Sequence, residues 1–489
     1  MSRTLAVATL LAVFCTAASS QNSSNTPTLS QETQACLDCH KTVTPGIVAD
    51  WMSSRHAKTT PAEALRLPAL ERRVSAVQIP DPLQNVAVGC FECHGLNGSA
   101  HTDHFDHFGY GINVVVSPKD CRTCHPTEAS QFAGSKKERA LDNLERNPVY
   151  HSLVATVTGV KEVKNGGLYF SDPTQTTLGK TCYACHGTDV AVVGTRVIST
   201  ELGDIEVPKL SNWPNQGVGR WNPDGSKGSC TACHPRHTFS IEVARKPYTC
   251  SQCHLQPDVP AWDVYIESKH GNIFSAQERE QDWNAVPWTI GEDLRVPTCA
   301  TCHDALLVNS DGDVIAERSH DFGARLWVRI FGLIYSHPQP KEGATFKIKN
   351  KDGLPLPTTF DDVPASEYLI DAATQAQRRA TMQKVCTSCH ASSWVEGFFA
   401  QLDTTNIETD KMVLAATQLL KEAWQKKLAD PKNPFDEKLE QKWVEQWLFY
   451  ANSTRYAAAM VGPDYAAFKN GWWYMTKTVQ ELQEAVNRK

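Results

Sequence analysis

Apolar positions recur at helical spacing through the C-terminal part of the chain. Leu414, Leu419, Leu420 and Trp424 form one stripe, and Leu439, Trp443, Trp447 and Leu448 form a second. That period predicts long amphipathic helices across 405–489. Asp430–Pro434 interrupts them, and Phe435–Asp436 starts the next one. Phe468, Trp472, Trp473 and Tyr474 crowd the end, where they pack either on their own subunit or on a second copy. Residues 136–158 and 367–385 also read as helix. Strand signals are few: the short apolar run in GYGINVVVSP (109–118), and a partial alternation over 189–210 that predicts a small hairpin. Residues 61–89 are punctuated by proline, and 351–366 form a Pro/Asp-rich loop. The expectation is a mainly α fold with little strand and a long C-terminal helical region.

The N-terminus has a different pattern. Arg3, the apolar run Leu5–Phe14 and the small, polar Cys15–Ser20 read as an export signal over 1–20. Phe14, standing where a small residue is needed, argues against Cys15 as a lipid anchor. Residues 21–30 form a polar leader. No later stretch reaches the roughly 20 apolar residues of a membrane span. The mature protein is therefore expected to be soluble and exported. A net charge of −6 gives no basic footprint for nucleic acid. Only 41% of residues are hydrophobic, lean for a chain of 489 residues, which suits an interior partly filled by something other than side chains.

Cysteine spacing identifies that filler. Of 17 cysteines, Cys15 lies in the signal, and every other one belongs to a C-x-x-C-H motif. The pairs are Cys36/Cys39, Cys90/Cys93, Cys121/Cys124, Cys182/Cys185, Cys230/Cys233, Cys250/Cys253, Cys299/Cys302 and Cys386/Cys389. They are followed by His40, His94, His125, His186, His234, His254, His303 and His390. The motif is the attachment signature of c-type haem: two thiols bind the macrocycle and the adjacent histidine binds the iron. Structural zinc combines separated half-motifs, whereas here each cysteine pair carries its own histidine. The chain reads as a multihaem cytochrome c with eight covalent haems. Within Arg220–Gly271, two motifs only twenty residues apart force two haems close together.

Nine histidines remain: His56, His101, His104, His107, His151, His237, His270, His320 and His337. Haems that only carry electrons are capped on both faces, by His/His or His/Met. Methionine is scarce, with six in the chain, so His/His capping is expected. The count permits one open iron. His56 and His270 each stand sixteen residues after a motif histidine, in the words WMSSRH and WDVYIESKH, and His320 stands seventeen after His303. This recurrence marks them as caps for neighbouring irons. His101, His104 and His107 would share a face if helical, so that one or two of them ligate. His237 caps another haem, His151 is a further candidate, and His337 has no helpful context.

The eight motifs, the run SNWPNQGVGRWNPDGSKGSCTACHPRHTFSIEVARKPYTCSQCH (211–254) and the run PDVPAWDVYIESKHGNI (257–273) resemble the octahaem hydroxylamine oxidoreductase family across nearly the whole chain after the leader. The resemblance implies a haem-bearing domain over 31–395 and an oligomer-forming helical region over 396–489, usually in a homotrimer. It implies seven bis-histidine haems and one open catalytic haem on the fourth motif, at His186. Oxidising members cross-link that haem to a tyrosine of a neighbouring subunit. Tyr465 in VGPDYAAFKNGWW is the best match here, with Tyr456 and Tyr474 as alternatives. The family's pocket Asp, His and Tyr map by position onto Asp258, His270 and Tyr335, although the sixteen-residue repeat claims His270 as an iron ligand. The leading expectation is oxidation of hydroxylamine or hydrazine, with electrons leaving to a cytochrome or quinone-linked partner. Reduction of nitrite or hydroxylamine to ammonium on the same scaffold is the alternative, and a non-catalytic electron conduit is the third.

Overall fold

The computed structural model describes residues 27–488. The proposed signal segment, including Cys15, lies outside them, as do residues 21–26 of the polar leader. Helix accounts for 47% of the described residues and strand for 12%, so the fold is mainly α. Among the described residues the strands form small separate sheets, none wider than three strands.

The haem motifs are built on single helical turns. Cys90–His94, Cys182–His186 and Cys299–His303 are five-residue helices, and Cys36–His40 lies within Gln31–Val43. A helical turn brings residues i and i+3 onto one face and places i+4 beside them. Both thiols and the imidazole therefore point the same way, as attachment to one macrocycle requires. Few of these turns could persist alone, because helix nucleation is costly. They are held by the polypeptide around them, not by their own hydrogen bonds.

Helix α1 (Ala372–Thr387) delivers Cys386, and α2 (Ser392–Gln425) follows it almost at once. Val395, Phe399, Leu402, Val413, Ala416, Leu420 and Ala423 form the buried stripe of α2. This helix crosses the expected boundary at 395–396 without a break. Its N-terminal half packs on Trp327 and Met382 of the haem-bearing part, with Phe399 stacked on Trp327 at 5.1 Å between ring centres. Lys427 in the left-handed region (φ +57°) and the Asp430–Pro434 segment end the run. Helix α3 (Lys438–Val444) restarts it with a Glu437/Glu440 capping box and continues through a wider turn into α4 (Asn452–Met460). Helix α5 (Trp472–Asn487) closes the bundle. Trp443, Trp447, Leu420, Met475 and Leu482, each at most 1% exposed, make its core.

The expected helix over 136–158 is two helices, Ala140–Glu145 and Pro148–Thr158, because Pro148 cannot continue the first and instead opens the second. The 109–118 run supplies β2 (Tyr110–Asn113), paired with β1 (His104–His107). Two further hairpins stand at the surface: β3 (Val160–Lys164) with β4 (Gly167–Ser171), and β5 (Val192–Thr200) with β6 (Gly203–Leu210). The latter is the hairpin expected over 189–210. Among the described residues, no helix is long and apolar enough to cross a membrane.

Candidate haem sites and redox centre

One continuous cavity of about 3250 Å³ runs through the chain. All sixteen motif cysteines and all eight motif histidines line it. Of the nine other histidines, His56, His107, His237, His270 and His320 line it as well. Protein interiors are otherwise close-packed, so a cavity of this extent is a cradle for large prosthetic groups.

The five additional histidines each face one motif histidine. Ring centres are 6.2 Å apart for His40 and His107, 6.4 Å for His125 and His56, and 6.5 Å for His94 and His237. They are 6.5 Å apart for His234 and His320 and 6.1 Å for His390 and His270. Two metal–imidazole bonds of about 2 Å, end to end, put the nitrogens about 4 Å apart and the ring centres about 6 Å apart. The rings fit a haem iron between them. Burial, the main cause, also pushes His56, His234 and His320 down to about 4, which keeps these imidazoles in the neutral, ligating form.

Backbone carbonyls orient several of the motif rings. Nδ1 of His94 donates to the Asn113 carbonyl at 2.7 Å, His186 to Ala140 at 3.1 Å, and His303 to Phe322 at 3.1 Å. Such a bond places the proton on Nδ1 and leaves Nε2 for metal.

The remaining spare histidines lie elsewhere. His101 is buried between carboxylates, with Nδ1 3.1 Å from Asp103 and Nε2 3.3 Å from Asp120. His104 bonds Asn113 Oδ1 at 2.9 Å. His151 is exposed, and His337 is buried with its Nδ1 on the Pro338 carbonyl. The shared helical face expected for His101, His104 and His107 does not form, because His104 and His107 sit on β1. On a strand, residues three apart point to opposite faces. His107 reaches the cavity while His104 turns away.

Thiols of different motifs adjoin. Cys36 lies against Cys90, Cys121 against Cys230, Cys250 against Cys299, and Cys185 against Cys253. Cys93 neighbours Cys124, Cys233 neighbours Cys250, and Cys302 neighbours Cys386. The motifs thus form a file in the order one, two, three, five, six, seven, eight, with the fourth branching from the sixth.

Charged and polar side chains gather at that branch. Asp258 acts on His186, and burial raises its carboxyl above the usual range. Lys137 and Arg329 act on His186, and Arg329 and Asp258 both act on Tyr456. Asp258, Arg329 and Tyr456 all line the cavity. Burial pushes the Tyr456 phenol up. Arg329 escaped the sequence reading; its signal is a single arginine inside the apolar run LWVRIFGLIY (326–335). Tyr456 is one of the two alternatives to Tyr465 for a cross-linking tyrosine. Tyr335 lies apart from the cavity, in the core of the helical bundle, its hydroxyl bonded to the Phe360 carbonyl at 2.8 Å and to Thr417 at 3.1 Å. Tyr465 is fully buried against Val264 and Ala457 of its own subunit and does not line the cavity. His270 faces His390, not His186.

These features define a multihaem c-type cytochrome, and comparison with known proteins agrees. Residues 223–315 match a family described as "Seven times multi-haem cytochrome CxxCH", and residues 120–205 match "Cytochrome c554 and c-prime". A solved structure described as a hypothetical multiheme protein is 44% identical, with TM-score 0.88, over 94% of this chain and 96% of that one. The chain belongs to the multihaem cytochromes c. A probable nitrite reductase–hydroxylamine oxidoreductase fusion protein of Kuenenia stuttgartiensis is 26% identical over 414 residues, 81% of this chain. The chain spans 38% of the length of that relative. A reducing HAO-like protein complex of the same organism shares the fold, with TM-score 0.58 and 18% identity over 93% of this chain and 84% of that one.

Proposed function

We propose that the protein is an exported octahaem oxidoreductase that reduces nitrite or hydroxylamine at the fourth motif, with the file of haems supplying electrons. The observation that carries this reading is the convergence of Asp258, Lys137 and Arg329 on His186, with Tyr456 beside Asp258 and Arg329. A cationic guanidinium suits an anionic substrate such as nitrite; neutral hydroxylamine needs no such partner. Reduction to ammonium consumes more protons than electrons. Asp258, whose carboxyl is raised by burial, keeps its proton to higher pH than an exposed aspartate and can donate it, and Tyr456 adds a phenol. When bound, the haems supply electron transfer, and an iron lacking a second protein ligand supplies a position for substrate.

On this reading, all eight motifs carry haem. His56, His107, His237, His270 and His320 are the second ligands of the third, first, second, eighth and fifth motifs. The file ends at surface motifs where a cytochrome or quinone-linked donor docks, and the molecule works in the periplasm as a homotrimer. The oxidising alternative rests on Tyr465. Its burial within its own subunit supports the reductive direction instead, since a tyrosine packed inside one subunit is not presented to the haem of another.

The test is direct. Purified holoprotein, given an artificial one-electron donor, should convert nitrite and hydroxylamine to ammonium. Its mass should equal the polypeptide plus eight unmodified haems. Arg329→Gln should raise KM for nitrite about tenfold or more, as loss of a charge-assisted hydrogen bond implies, and leave KM for hydroxylamine nearly unchanged. A tyrosine–haem cross-link by mass, with faster hydroxylamine oxidation than nitrite reduction, would overturn the direction.

A further inference from the structure

His254 belongs to the motif at the branch point, and no imidazole faces it among the described residues. A lysine does: Lys137 Nζ lies 2.6 Å from His254 Nε2. Lys137 sits on the turn between helices Pro126–Ala133 and Ala140–Glu145, and it lines the cavity. Neighbouring cations are accounted for otherwise. Arg139 pairs with Glu138 and Asp142, and Lys227 pairs with Asp142. Among the described residues Lys137 has no carboxylate partner, and its hydrogen-bonding contact is His254.

A simple hydrogen bond from the ammonium to Nε2 does not fit a haem-bearing motif. Attachment at Cys250 and Cys253 commits Nε2 of His254 to iron. A nitrogen lying on the same axis is then on the far side of that iron. We infer that Lys137 is the second axial ligand at the sixth motif, opposite His254, so that this iron is held by one imidazole and one amine. Two metal–nitrogen bonds of about 2 Å require a separation of about 4 Å, and the flexible four-carbon stem of lysine can supply the difference. The amine ligates in its deprotonated form. The inference rests on the assignment of haem to the sixth motif. Its consequence is that the junction between the fourth motif and the file has a ligand set unlike its neighbours', which gives the chain a separate means of setting the potential there.

The experiment uses full-length, haem-loaded protein. Haem stoichiometry is measured by pyridine haemochrome absorbance, and ferric spin state by electron paramagnetic resonance. Lys137→Ala and Lys137→Arg should each convert one haem equivalent from low-spin to high-spin relative to the parent, with haem content unchanged. Added imidazole should reverse the gain in Lys137→Ala. Lys137→His should stay low-spin, and Lys136→Ala should match the parent. A Lys137→Arg spectrum identical to the parent's would assign Lys137 to charge alone and overturn the inference, as would an unchanged spectrum in Lys137→Ala. A parent protein with fewer than eight haems would instead count against the octahaem reading, because stoichiometry is read independently of spin state.

Discussion

His40 and His107 face each other across the cavity with ring centres 6.2 Å apart, one from the first C-x-x-C-H helix and the other from a β-strand beyond the second motif. Each of the five facing pairs joins a motif histidine to a histidine from a different part of the chain. His56 faces His125, not the His40 it follows by sixteen residues, and His270 faces His390, not His254. The recurring spacing therefore reflects chain geometry: a motif, then a short helix, then a histidine presented to the histidine of another motif.

Replacing His107 tests the pairing. His107→Met should keep the first-motif iron low-spin and raise its reduction potential, because His/Met ligation favours the reduced state relative to His/His. His107→Ala should give one haem equivalent of high-spin signal. Potentiometric titration and spin-state spectroscopy check the two outcomes.

Asp258→Asn should lower kcat for nitrite reduction by about 10²–10³, the usual contribution of a positioned general acid, with haem content unaltered. Burial raises the Asp258 carboxyl, and only its protonated form can donate. Parental activity should therefore fall as pH rises through that raised value, and the Asn variant should lose this limb of the profile.

Tyr335→Phe should leave turnover within about twofold, since its hydroxyl serves Phe360 and Thr417, not the redox centre. The cost should be about 1 kcal/mol of stability, the net value of a typical buried hydrogen bond. Trp443→Ala in the same core should cost about 3–5 kcal/mol. Denaturant unfolding beside steady-state assays separates the two effects.

His101 sets a pH dependence of stability. Burial alone would lower it, but hydrogen bonds to Asp103 and Asp120 outweigh burial and carry it to about 9. Because the folded value lies above the ordinary histidine value of 6.5, its contribution is complete below that pH and is lost as pH rises toward about 9. The loss should be at most about 3 kcal/mol. His101→Gln should be less stable than the parent at about pH 6 and show a flatter decline above it, measured by denaturant unfolding across that range.

Much of the chemistry was legible because it is local. A C-x-x-C-H motif needs only one helical turn to align two thiols and an imidazole, so composition and spacing reveal the haem sites without the fold. The stripes led by Leu414 and Leu439 likewise marked the C-terminal helices, because a buried face must repeat with the helix period.

Which histidine meets which iron was not local. His101, His104 and His107 looked equivalent until β1 turned His107 into the cavity, His104 away from it, and left His101 among carboxylates. Tyr335 and Tyr465 occupied suggestive positions in the chain, yet packing buried both in apolar clusters, while Arg329, Tyr456 and Lys137 were drawn in from separate segments. The sequence by itself determined the prosthetic group and the number of its attachment motifs, since covalent attachment is written in neighbouring residues. Tertiary structure alone decided the facing histidines, the order of the file and the residues around His186, since these are contacts between distant segments and exist only once the chain has closed around the cavity.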